Sequence, residues 1–301
     1  MPHLHHGAAG SFGSVFTTVM LVFAALLYLR GWVSLRSNCP GRIPAWRACS
    51  FLLGLFFIWV AAASPIAALD HELLTVHMLK HLLLMTVAPP LIWLAEPVRA
   101  WSQGLPQFVR RARGIAFCWP LIMRTGRALV RPEVCWLAAA AALVGWHVPA
   151  VFTFAMHSAT WHFVEQSSFL ASGLLFWWPV VQPWPSVLRP DLSMILYLFF
   201  ATLPCDILSG FLVFCDRVVY PVYLSSSHLF GFSALADQQC AAALMWTCVT
   251  LVYLVAGAVL AVRLLSRQNP RDDEFAQQDL YLKSVPRSVQ QSIVQQNLEA
   301  F

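Results

Sequence analysis

His77 and His81 stand four residues apart inside an apolar run, in the stretch HMLKHLLLM. Residues at i and i+4 share one face of a helix. Two imidazoles at that spacing can hold one metal ion, as in zinc-binding helices, and Met85 extends the same stripe. Ionisable groups within a bilayer are expensive and usually mark function; the alternative is two unrelated polar residues satisfied by neighbouring helices. His147, in GWHVP, and His162, in WHFVEQ, lie near the ends of two further apolar runs. Thioether and thiolate ligands select Cu(I), and imidazole suits copper, zinc and iron. Histidine with nearby methionine and cysteine therefore favours copper over magnesium or calcium. A single methionine such as Met245 is weak evidence alone, because methionine is common in apolar cores.

Other polar residues in the apolar runs divide into ligand partners and counter-charges. Glu165 and Gln166 share a helix face with His162. A metal-bound imidazole commonly donates its second N–H to a carboxylate or amide, so Glu165 either supports a ligand in this way or caps its own helix. Lys80 points about 100° away from its neighbour His81 on an ideal helix. A buried ammonium needs a counter-charge or a route to the interface; Asp206 and Asp237 are candidate partners on other helices, and snorkelling is the alternative. His157 is expected in solvent. His3, His5 and His6 can bind copper loosely or be incidental. Pro89-Pro90, below the histidine pair, should kink or break its helix.

The elements that must position these residues follow from hydropathy. Hydrophobic residues make up 59% of the chain, charged ones 11%, and mean hydropathy is +0.65. A soluble domain carries roughly 25% charged residues, so the natural solvent of this chain is lipid. About 20 apolar residues are needed to cross the hydrocarbon as helix. Seven runs qualify, at about 13–33, 47–68, 73–94, 134–155, 161–181, 192–213 and 240–264. Continuous apolar runs exclude a β-barrel, so the expected fold is an all-α, polytopic seven-helix bundle. The first run lacks a basic region ahead of it and is read as a mature helix rather than a signal peptide.

Cationic residues set the expected orientation. Seventeen of the nineteen Lys and Arg fall in connections facing one way or in the carboxyl tail, leaving only Lys80 inside a span and Arg217 in an opposite connection. By the positive-inside rule the amino end is expected outside, the carboxyl end in the cytoplasm, and the histidines near the outer face. The charge of +5 then reflects topology and calls for no nucleic-acid partner. Three segments follow: an external segment 1–12, a membrane domain 13–264, and a polar, Gln-rich cytoplasmic tail 265–301, which either stays partly ordered or docks a partner. The eight cysteines include no Cys-x-x-Cys pair or zinc-finger spacing.

Four stretches resemble the multi-spanning CtaG-type assembly factors of cytochrome c oxidase: HMLKHLLLMTVAPPL (77–91), GWHVPAVF (145–152), HFVEQSSFLASGLLFWWPV (162–180) and DQQCAAALMW (237–246). With the seven-span count, the resemblance covers roughly residues 15–265. The matching site positions are His77, His81, His147, His162, Asp237 and Met245. The resemblance implies copper delivery, as Cu(I), to the externally exposed copper centre during oxidase maturation. The implied partners are the oxidase subunit carrying that centre and an external copper chaperone, and the implied location is the cell inner membrane. In two places the chain departs from the family pattern. Lys80 stands where glutamine is frequent, and Gln166 stands where a second histidine often follows His162.

Two other functions compete. A copper transporter needs polar or sulfur groups through the inner leaflet, where Met85, Cys135, Cys248 and Cys49 offer a thin path. A haem-binding redox protein can use two histidines from different helices, such as His81 and His147, as axial ligands. An ordinary hydrolase is not expected: the chain has no G-x-S-x-G, zincin signature or phosphate loop.

Overall fold

A computed structural model describes residues 4–38, 44–104, 126, 128–181, 192–225, 231 and 233–267. Within them the chain is helical, with no strand. The helices are α1 (Leu4–Asn38), α2 (Ala45–Ala62), α3 (Leu74–Leu94), α4 (Pro97–Gly104), α5 (Pro132–His147), α6 (Pro149–Met156), α7 (Ala159–Val181), α8 (Leu192–Phe214) and α9 (Ala234–Arg267). Short 3-10 turns lie at Pro65–His71 and Pro221–Leu224. The expected tail beyond residue 267, together with His3, His228, Cys39 and Cys118, falls outside the described residues. The six described cysteines are all free thiols.

Five helices are long and apolar enough to cross a membrane: α1, α2, α3, α8 and α9. A sixth span arises if α5 and α6 are counted together. The run expected as one helix over 134–155 is broken there by a bend of 77°. Pro149 accounts for the break. It has no N–H to continue the ladder, and it forces Val148 out of the helical region, to φ −63° and ψ 123°. The phenol of Tyr220 donates to the carbonyl of His147 at 3.1 Å, serving a helix end left open by the break. The 23-residue α7 is long enough to span but carries His162, Glu165 and Gln166, and it falls short of the others in apolar character.

Helix α3 is the most enclosed of the five spans: two thirds of its apolar stretch is buried in the bundle, against 11–28% for the others. It is where polar residues can be held away from lipid. Its amino end is capped from another helix. The carboxylate of Asp237 on α9 accepts from the backbone N–H groups of Leu74 (2.6 Å) and Thr75 (3.1 Å), and from the Thr75 hydroxyl (2.6 Å). These N–H groups have no partner within the helix, and a carboxylate there is further favoured by the helix dipole.

Pro89-Pro90 does not break α3. The helix widens into a π turn at Leu83–Val87 and continues through both prolines. Pro89 cannot donate to the carbonyl of Met85, four residues earlier. The indole N–H of Trp177 on α7 donates to that carbonyl instead, at 3.1 Å. Such a contact requires the two backbones to approach closely, and Gly173 permits it. A Cβ at that position would lie 2.7 Å from both the Cα and the carbonyl oxygen of Met85.

Candidate metal centre

The geometry of α3, α7, α5 and the Pro65–His71 turn brings the sequence-selected histidines together. The rings of His77 and His81 are 4.4 Å apart between centroids, those of His77 and His162 are 5.7 Å apart, and those of His81 and His147 are 6.1 Å apart. Phe152 of α6, edge-on to His77 at 4.9 Å, covers the cluster on one side. The bend at Pro149 is what turns α6 over the histidines. Phe169, 4.0 Å from the His81 ring, closes another side.

Glu165 sits between the two α3 histidines. One carboxylate oxygen is 3.4 Å from His77 Nε2 and 3.5 Å from His81 Nε2. All three residues are buried: His77 and Glu165 have no exposed surface and His81 only 5%. Yet no ring N–H is aligned to donate to the carboxylate. Both nitrogens of His77, both of His81 and both oxygens of Glu165 lack a hydrogen-bond partner. An unsatisfied buried polar group costs about 1–3 kcal/mol, and native structures contain few of them. Six such atoms on three touching side chains are not a packing solution. They do fit a cation. Ligand atoms about 2.1 Å from a tetrahedral ion lie about 3.4 Å from one another, and the three facing atoms here fall within 4.8 Å of one another.

A second group, Asp70, His71 and His162, lies beside the first and nearer the surface. Asp70 is 2% exposed. Its carboxylate pairs with the ammonium of Lys80 and lies 3.2 Å from His162 Nε2. Burial alone would push the Asp70 carboxyl up, but the hydrogen bond to His162 and the charge of Lys80 outweigh it and hold the group below the usual carboxylate range. His162 Nε2 is also 4.0 Å from Glu165, so it links the two groups. Gln166 approaches the same nitrogen at 3.0 Å.

This corrects the expected surroundings of Lys80. Its partner is Asp70, not Asp206 or Asp237, and the side chain stays buried at 5% exposure instead of reaching the interface. The cause is local: the Pro65–His71 turn folds back and sets Asp70 over the ammonium. Asp237 is engaged with the end of α3. Asp206, on α8, keeps one oxygen without a partner and forms no ion pair among the described contacts. His157 is exposed, its Nδ1 2.7 Å from the Thr153 carbonyl.

Met245 and His147 border a cavity of about 40 Å³ that His81 also lines, together with Met78, Met85 and Cys205. Met78 and Asp70 were not singled out by residue spacing. Asp70 lies in the 3-10 turn ahead of α3, so no helical periodicity connects it to Lys80. Met78 is adjacent to His77 and off the stripe of residues four apart.

No curated protein and no solved structure matches the chain significantly. A family model does, over residues 26–267, which includes every residue of both groups and of the cavity wall. The chain belongs to the cytochrome c oxidase caa3 assembly factor family.

Proposed function

We propose that the protein takes part in maturing the oxidase by holding copper at His77, His81 and Glu165 and passing it to the subunit that carries the external copper centre. The observation that carries this reading is the set of six buried, unpartnered ligand atoms on three side chains in contact. Two imidazoles and one carboxylate match a first-row ion, and the cysteine and methionine around the cavity favour copper among these. Asp70, His71 and His162 lie between the buried group and the surface, as an approach route requires. An external copper chaperone is the proposed source of the ion, and no catalytic step is assigned to the protein.

The proposed topology has seven spans, with α7 as the seventh and with α5 and α6 forming one broken span. The amino end is outside and the carboxyl end cytoplasmic in the cell inner membrane. The segregation of Lys and Arg supports this orientation. A reporter fused after Gln268 should behave as cytoplasmic and one inserted near Ala159 as external; the reverse pattern overturns the orientation.

Transport across the membrane and haem binding have less support. Phe176 and Tyr253 stack at 5.4 Å at the wall of the cavity, and Trp177 packs edge-on to Tyr253 at 5.6 Å. These buried rings lie between the cavity and a separate apolar pocket lined by Leu94, Val252 and Arg263. A cavity of about 40 Å³ exceeds the roughly 10–15 Å³ that one water needs but is far too small for a porphyrin. An absorption spectrum with a Soret band would reverse that preference. The test of function is oxidase activity in cells carrying His77→Ala/His81→Ala. Activity should fall while the variant stays in the membrane at normal abundance. Normal activity overturns the assignment, and loss of the protein from the membrane assigns the histidines to structure.

A further inference from the structure

His147 differs from the other buried histidines in having a fixed tautomer. Its Nδ1 is 2.7 Å from the carbonyl oxygen of Leu143, one turn earlier in α5. A carbonyl only accepts, so Nδ1 carries the proton. In the neutral ring the other nitrogen is then a bare lone pair. That nitrogen, Nε2, lies 3.3 Å from the thioether sulfur of Met78. Sulfur has no proton to give, so the contact is not a hydrogen bond. Two electron-pair donors face each other inside the protein, with His147 5% and Met78 1% exposed.

Metal-ligating imidazoles characteristically donate their second N–H to a carboxylate or backbone carbonyl, which fixes ring orientation. His147 has that support; His77 and His81 do not. The pair borders the cavity of about 40 Å³, whose wall adds the sulfur atoms of Met85, Met245 and Cys205. Thioether ligands are soft donors that suit Cu(I) better than hard divalent ions. The neighbouring group of His77, His81 and Glu165 offers nitrogen and oxygen only. His81 stands between the two, in contact with Glu165 and on the cavity wall.

We infer that His147 Nε2 and Met78 Sδ, with Met245 or Cys205 completing the set, form a second site, specific for monovalent copper and distinct from the His77, His81 and Glu165 centre. The inference rests on the copper-handling reading above but assigns different ligands and a different selectivity.

The test uses the full-length protein in detergent, with Cu(I) under anaerobic competition with a chromogenic chelator and with Co(II) as a divalent probe. Met78→Leu conserves volume, and such swaps in apolar cores are well tolerated. Losing even a group behind the ligands typically weakens metal sites by about 10–100-fold. Met78→Leu should therefore weaken Cu(I) binding by at least about tenfold and leave Co(II) binding unchanged. Glu165→Gln should do the reverse. X-ray absorption of the Cu(I) protein should show sulfur neighbours that diminish in Met78→Leu and in Met245→Leu. Unchanged Cu(I) affinity in Met78→Leu, or a sulfur-free copper environment in the wild type, overturns the second site while leaving the first standing. A wild-type protein that binds neither probe overturns both.

Discussion

Two buried carboxylates lie close together in this bundle and are treated in opposite ways. Asp237 accepts from two backbone N–H groups and a hydroxyl, and its neighbour Gln238 is equally occupied, accepting from Val219 N–H at 2.7 Å and donating to the Arg217 carbonyl at 3.1 Å. Glu165 of α7, which meets α3 a few residues further along at His77 and His81, has no hydrogen-bond partner although those two imidazoles touch it. The first region is built to hold the start of α3. The second is held in place by that work and leaves its own bonding capacity free. Burial alone therefore does not separate a structural acid from a functional one; the state of its hydrogen bonds does.

Substitutions on either side of this contrast should change different observables. The largest loss of stability is expected from Asp237→Ala. Hydrogen bonds to charged groups contribute about 1.5–3 kcal/mol each, and this change removes several while orphaning the end of α3. Thermal denaturation in detergent should show a markedly lower midpoint, and membrane abundance should drop. Gly173→Ala should come next, at about 1–3 kcal/mol for a methyl forced against fixed backbone, because the Met85 carbonyl and Cα cannot yield as a side chain can. Thr75→Val should cost less, about 0.5–1.5 kcal/mol for one hydroxyl hydrogen bond, with Asp237 still serving the backbone. Glu165→Gln should leave the midpoint unchanged or raise it, since an unpaired buried carboxylate costs free energy. A midpoint for Glu165→Gln as low as that for Asp237→Ala would erase the distinction between the two acids.

Much of this was legible in the residues. Apolar runs marked each long helix, and the i, i+4 spacing of His77 and His81 placed both rings on one face. The convergence of His147 and His162 on that face depended on tertiary packing, which the depth of each residue along its helix only partly constrains. The bend at Pro149 was hidden because its flanks remain apolar on both sides, so hydropathy reads one run where the backbone turns by 77°. Pro89-Pro90 misled in the other direction: a π turn and the Trp177 indole satisfied what the prolines removed. Lys80 found Asp70, ten residues earlier, across a 3-10 turn that no helical periodicity spans. Glu165 was legible as a partner to histidine, but its place between two of them required the packing of α7 on α3.

The central claim, that His77, His81 and Glu165 form a centre for copper, is tested most directly by metal analysis of purified protein after loading with Cu(II). Wild type is compared with His77→Ala/His81→Ala and with Glu165→Gln, and Thr75→Val serves as a control for folding. The expected result is copper retained by wild type and Thr75→Val and reduced in both centre variants at unchanged thermal midpoints. Equal copper content in all four proteins would contradict it.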